Sequence, residues 1–183
     1  LCVLECYGTL NENDTRLFAK ICDAVSCEMQ KNTFIRNSKG HMYETFILDI
    51  LEEKIKAKKT VDERIKYLNI VLKEYLYVFT VDTTTLYDKD NIYITYLSDV
   101  LEQIISGSKS VIYRDNIVLI VSRSSELSLQ EQDMKEMVLF LKNNNIYCGI
   151  SRCFQELVDL KEYYQQSIKA LEYGKHMKKD EFV

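Results

Sequence analysis

Proline and tryptophan are absent from this 183-residue chain, and glycine (5) and histidine (2) are scarce. Glycines are not gathered into a phosphate-cradling loop: there is no P-loop and no dinucleotide fingerprint. With two imidazoles there is no H-E-x-x-H, and no Ser, His and acid cluster is indicated. The six cysteines form no C-x-x-C: Cys2 and Cys6 stand four apart, Cys22 and Cys27 five apart, Cys148 and Cys153 five apart. A zinc site gathers four N/S ligands from close pairs, so no metal is expected. The thiols are expected to be free and buried, in a reducing cytoplasm, and none is marked as an activated nucleophile. His176, near a helix end, is expected at the surface, where it complements the helix dipole.

Long apolar runs are also missing. None approaches the ~20 residues needed to span a bilayer, and Leu1–Tyr7 lacks the basic start and small-residue cleavage site of a signal peptide. The chain does not begin with Met, so a piece of something longer is expected. A basic surplus is missing too. A net charge of −4 and a pI near 5.3 argue against a nucleic-acid surface, which concentrates Lys and Arg. Lysines alternate with acids, as in Glu52–Lys59, which reads as a solvated helix face. The 46 % hydrophobic and 28 % charged content describes a soluble globular chain, long enough for one good-sized domain or a domain plus an attached segment. The 13 tyrosines, with abundant Ile, Lys and Asn and no Pro, fit a base-composition bias and are read as core and interface residues.

What is present is an ordered set of elements. Leu1–Tyr7 reads as a strand with Cys2, Leu4 and Cys6 on one face, and Gly8–Asn13 as a turn. Asp14 can cap a long helix with the stripe Leu17, Phe18, Ile21, Val25 and Met29. Ser38-Lys39-Gly40 interrupts the helical pattern. A second helix carries Tyr43, Phe46, Ile47, Ile50 and Leu51. A third starts at the capping box Thr60-x-x-Glu63 and carries Val61, Ile65, Leu68, Leu72 and Tyr75. Two explanations fit these stripes: cover for the sheet that follows, or a seam with a second chain. The first helix is the better dimer candidate.

Tyr75–Asp82 is a strand rich in aromatic and β-branched residues. The loop Thr83–Asp90 is polar. Ile94, Leu97, Leu101, Ile104 and Ile105 mark a helix that stops at Gly107. Ser110–Tyr113 and Ile117–Ser122 form a hairpin around Arg114-Asp115-Asn116. Leu129–Asn143 is a helix with Met134, Met137, Val138 and Leu141 inward. The segment Ile146–Gly174, IYCGISRCFQELVDLKEYYQQSIKALEYG, then reads as a strand to Ile150, a turn at Ser151-Arg152, and a helix. Its stripe is Leu157, Leu160, Tyr164, Ile168 and Leu171, with Asp159 and Glu162 as a capping pair and Gly174 as the stop. The order β-α-β-β-α-β-α, with two crossover helices and a central hairpin, predicts an α+β, ferredoxin-like antiparallel sheet with helices on one face. A closing strand is expected to start at Glu181-Phe182-Val183.

The wording of the last segment carries more. Gly149-Ile150-Ser151-Arg152, then Phe154, the steps Glu156-Leu157 and Asp159-Leu160, an aromatic-rich turn, and Gln165 followed by Ala170, Leu171 and Gly174 resemble the central region of PucR/CdaR-type bacterial transcription regulators. That region is a degenerate relative of the GGDEF nucleotide-cyclase domain. The resemblance covers about Lys73 to the end. Cys153 stands where many relatives carry Pro, a departure that bears on the local turn. The strand and exit helix at the start are similar to the end of a GAF-like sensor. The implied organisation is residues 1–36 as sensor end and exit helix, 37–74 as linker helices, and 75–183 as the GGDEF-like domain.

In a working GGDEF cyclase the β-hairpin carries a glycine pair that lets backbone approach a nucleotide, and acids there hold metal with another at the end of the first strand. Here the hairpin reads Tyr113-Arg114-Asp115-Asn116-Ile117, without the glycines. Asp82 stands at the first-strand position. Asp82, Arg114 and Asp115 are therefore a vestigial metal or nucleotide site, or two turn-forming aspartates beside an arginine. The resemblance implies no catalysis and no cofactor. It implies a homodimeric cytoplasmic relay, off the membrane, in which the upstream sensor biases the helix Asp14–Arg36 and DNA is bound only by a C-terminal helix-turn-helix outside this piece. The alternatives are a small-molecule effector domain and, third, a residual nucleotide cyclase.

Overall fold

The computed structural model describes residues 12–84, 91–125 and 131–177. The expected strand Leu1–Tyr7 and the expected start of a closing strand at Glu181 lie outside them. The chain divides into two units, Leu1–Tyr43 and Glu44–Val183.

In the first unit the main element is α1 (Glu12–Leu51), whose last turns belong to the second unit. It is already helical at Glu12, ahead of the expected Asp14 cap, and it runs unbroken through Ser38-Lys39-Gly40. A single internal glycine costs only about 1 kcal/mol against alanine, too little to end a helix. Leu17, Ile21 and Val25 are exposed, and Phe18 is half-buried.

In the second unit Phe46, Ile47, Ile50 and Leu51 of α1 are buried, so this stripe is covered by its own chain. α2 (Lys58–Tyr67) follows Ala57 as N-cap, and no side chain caps it. The Thr60–Glu63 box is not formed, because Thr60 lies inside the first turn and its N–H donates to Ala57 O at 3.0 Å. Asn69 adopts φ 51° after Leu68, which ends the helix, so Leu72 and Tyr75 fall outside it.

Then follow β1 (Tyr75–Asp82), α3 (Asn91–Ile104), β2 (Ser108–Tyr113), β3 (Asn116–Arg123), α4 (Glu131–Asn144), β4 (Cys148–Ile150), a 3-10 turn Leu157–Asp159, and α5 (Leu160–Met177). The sheet is antiparallel in the order β2-β3-β1-β4, the ferredoxin-like arrangement. Alternation along the strands separates two faces. Tyr77, Phe79 and Val81 of β1 and Ile117, Leu119 and Val121 of β3 cluster with Leu97 and Leu101 of α3 and Met137 and Leu141 of α4. Val138 instead points outward, 39 % exposed.

The opposite face is not open. β1 is buried at every position after Tyr75, and β3 at every position after Asn116, so both need cover on both sides. α5 supplies it over β1 and β4, which corrects the expectation that all helices share one face. α5 also runs past Gly174 to Met177, since that glycine is a helical residue with open space around it. The Asp159–Glu162 cap is absent: Asp159 lies in the 3-10 turn, donating its N–H to Glu156 O at 2.9 Å.

Candidate functional site

β4 and α5 approach closely at Gly149. A Cβ at Gly149 would lie 2.1 Å from Ser167 O and 2.6 Å from Leu171 N, so only glycine fits there. Beside it in the sheet, Thr80 pairs with Gly149. Its hydroxyl lies 2.5 Å from that of the fully buried Ser167, which itself donates to Tyr164 O at 2.8 Å. Thr80 is therefore the donor in the Thr80–Ser167 bond. Ser151 continues the strand by other means. Its N–H donates to Val78 O at 2.9 Å, and its Oγ accepts the Val78 N–H at 2.9 Å.

The segment singled out in the sequence thus serves as attachment. Gly149 and Ser151 join β4 to its neighbours. Ile150 packs against the α3–α4 core, and Leu160 and Leu171 of α5 are buried. Arg152 and Ala170 are exposed, and Gly174 touches nothing within 4 Å of a Cβ. The turn that follows β4 returns to the sheet at Phe154, which bridges Leu76. Among the described cysteines all four are free, but only Cys148 is buried. Cys153 is half-buried, and Cys22 and Cys27 are exposed, contrary to expectation. Burial pushes the Cys148 thiol well up, away from nucleophilic chemistry.

At the other end of the α5 stripe lies the place where β1 meets the β2–β3 hairpin. Ser167, Leu171 and Lys175 follow one another at four-residue spacing, so they share one helix face. Asp82, on the same sheet face as Thr80, is buried and receives Lys175 Nζ on its Oδ2. Its Oδ1 accepts the Thr84 N–H at 2.9 Å and the Thr84 hydroxyl at 2.6 Å. Burial pushes the Asp82 carboxyl up, but Lys175 and the two Thr84 donors together outweigh it and hold the group below its ordinary value.

The hairpin turn is Arg114-Asp115 alone, with φ of 50° and 57°, and Tyr113 pairs across it with Asn116. This is the two-residue, type I′ geometry. Thr83 Oγ1 donates to Asp115 O at 2.5 Å and Asn116 Nδ2 to Arg114 O at 2.9 Å. Arg114 lies 5.2 Å over the Tyr113 ring, and Lys161 lies 5.8 Å from that ring and 5.7 Å from Tyr164. The two tyrosine rings meet edge to face at 5.3 Å. Burial, then Tyr113, push the Tyr164 phenol up.

Asp82 and the Arg114-Asp115 turn are therefore brought to one end of the sheet through the Thr83–Asp115 bond, but not as ligands around a common point. Asp82 turns its carboxylate to Lys175, whereas Asp115 is exposed at the tip and contributes its backbone carbonyl. The sequence reading missed Lys175, Ser167 and Thr84. Lys175 had a signal: it continues the apolar phase of the helix, four residues beyond Leu171. Ser167 and Thr84 carried no such mark, because a buried hydroxyl reads as any other small polar residue.

Arg114 and Asp115 both hold a left-handed conformation that costs a residue with a Cβ on the order of 1 kcal/mol. Replacing the pair by Asn-Gly should raise stability by about 1 kcal/mol, read as a higher urea midpoint at unchanged slope. A lower midpoint would show that the Arg114 stacking outweighs the backbone strain.

The sheet order and the crossover helices define an α+β domain of the ferredoxin-like class. The family model for the GGDEF-like domain matches residues 53–173, and the chain belongs to that family. No curated protein and no solved structure matches it significantly. The resemblance to GGDEF cyclases implies metal and nucleotide at the hairpin, and the residues present do not fit them. The glycine pair is missing, both Asp82 oxygens are engaged within the chain, and among the described residues no three His, Cys, Asp or Glu side chains are grouped to hold a metal.

Proposed function

We propose that this chain is a non-catalytic signal-relay and dimerisation region of a PucR/CdaR-type transcription regulator. The observation that carries the reading is the closure of Asp82 by Lys175 and Thr84 at the position where a cyclase relative would hold metal. Phosphoryl transfer depends on positioned phosphates and cations, and this end of the sheet is organised for internal pairing instead. The PucR/CdaR wording of Gly149–Gly174 supports the regulator assignment, and its residues attach α5 to the sheet. In such a regulator a helix-turn-helix contacts DNA, and the acidic balance of this chain suits a segment that does not. A cytoplasmic location accords with the free thiols and with the absence, among the described residues, of any helix long and apolar enough to cross a membrane.

The relay runs through a long helix into a sheet domain, and its output is dimer geometry. The exposed Leu17, Ile21 and Val25 on α1 support self-association. Light scattering of the purified chain should give the mass of a dimer at micromolar concentration; a strict monomer at high concentration, with its helices intact by circular dichroism, contradicts the reading. A second reading, a metabolite-sensing domain, is favoured by a groove of about 440 Å³ whose lining mixes Ile65, Ile70 and Leu76 with Asp62, Lys73 and Glu156. A metabolite that raises the melting point selectively would support it.

A further inference from the structure

We propose that the Lys175 ammonium is a built-in counter-ion that occupies the place of a divalent cation at the end of β1, so that this chain closes β1 onto the last turn of α5 without metal. The inference rests on the non-catalytic reading above and adds the residue that makes the site independent of metal.

Three observations lead to it. The Asp82 side chain is 3 % exposed, and a carboxylate so placed requires a cation beside it. The cation it has comes from the chain: Lys175 Nζ meets Oδ2, while the Thr84 N–H and hydroxyl occupy Oδ1. The lysine arrives by the geometry of its helix. Leu171, one turn earlier, packs against Gly149, and Ser167, two turns earlier, bonds to Thr80, so the ammonium is delivered to the strand end by two fixed contacts. The side chain of Lys175 is itself 33 % exposed, so its position is reachable from solvent.

The consequence is specific. Removing the ammonium while keeping the packing leaves a buried carboxylate open on one side, with threonine hydroxyls nearby and a route to water. Oxygen donors of this kind suit a hard divalent ion. The whole chain should therefore gain a metal response when Lys175 is lost, and should show none with Lys175 in place.

The test is thermal melting of the whole chain with and without Mn²⁺, for the parent, Lys175→Met, and the double variant Lys175→Met with Asp82→Asn. The parent should melt at the same temperature with or without Mn²⁺. Lys175→Met should rise by roughly 3 °C or more at a tenfold excess over its Kd, and the double variant should not respond. If Lys175→Met does not fold, Lys175→Gln, which retains a donor at the end of a long stem, is measured in its place. A parent that binds Mn²⁺ through Asp82 overturns the proposal, and so does a folded Lys175 variant with no response. A monomer in light scattering would sink the relay reading and leave this result unaffected, so the two failures are distinguishable.

Discussion

Lys175→Met is expected to cost the domain about 3 kcal/mol, because it strands a buried carboxylate rather than an exposed lysine. Asp82→Asn should cost less, about 1–2 kcal/mol: the amide oxygen can still accept from Thr84, and Lys175, a third exposed, can turn to water. This asymmetry between two halves of one pair follows from their unequal burial. It carries a pH signature as well. In the parent chain the Asp82 carboxyl is held below its ordinary value, so its stabilising contribution is complete above the unfolded pKa, about 4, and is lost as pH falls through the lower folded value. In Lys175→Met burial, the largest upward influence, is opposed by the Thr84 donors alone, and the folded pKa is expected to rise above the unfolded one. The folded state then binds more protons, so stability falls as pH rises above about 4. Urea unfolding at pH 5 and pH 8, followed by circular dichroism because the chain has no Trp, should show the variant more stable at pH 5. Equal costs for the two substitutions, or the same pH slope in parent and variant, would contradict the pairing.

Gly149→Val should be at least as severe. The atoms its side chain would strike are the Ser167 carbonyl and the Leu171 backbone, which cannot swing aside as a flexible side chain can. α5 would have to lift from β4, losing the Thr80–Ser167 bond and the burial of Leu171. A cost of about 3 kcal/mol or more is expected, measured as a drop in the urea midpoint, with loss of cooperative folding at the upper end. Gly174→Ala is the control. It lies in α5, the helix that Gly149 packs against, with nothing within 4 Å of the added methyl, and should stabilise by roughly 0.5–1 kcal/mol. A tolerated Gly149→Val would mean that the β4–α5 approach is looser than the distances indicate.

Most of the sheet was legible because its strands combine β-branched runs with clear turn signals. Tyr75–Asp82 has the bounds read from sequence, and the Arg114-Asp115 turn and the Asn145 helix end were each announced by turn-forming residues. The continuous apolar run of β1 also held the information that both sheet faces are covered, since a half-solvated strand alternates. Glycine misled twice. Gly40 and Gly174 were read as breaks, yet both sit inside helices whose other residues outweigh the modest cost of one glycine, while Gly149, read as part of a motif, matters for space rather than for backbone freedom. Thr60 failed as a cap because the helix had begun two residues earlier. The site was half legible. The strand end at Asp82 and the hairpin turn follow from their positions along the chain, but the closure of Asp82 depends on a lysine 93 residues away, and pairing across that span is a property of the folded sheet.

Asp82 is closed by the chain itself in a GGDEF-like domain. The most direct test is to incubate the purified chain with Mg²⁺ and nucleoside triphosphates while monitoring both product and melting temperature. No cyclic nucleotide or released pyrophosphate, and an unchanged melting temperature, are expected. Product that forms with the parent chain and disappears with Asp82→Asn would contradict the account.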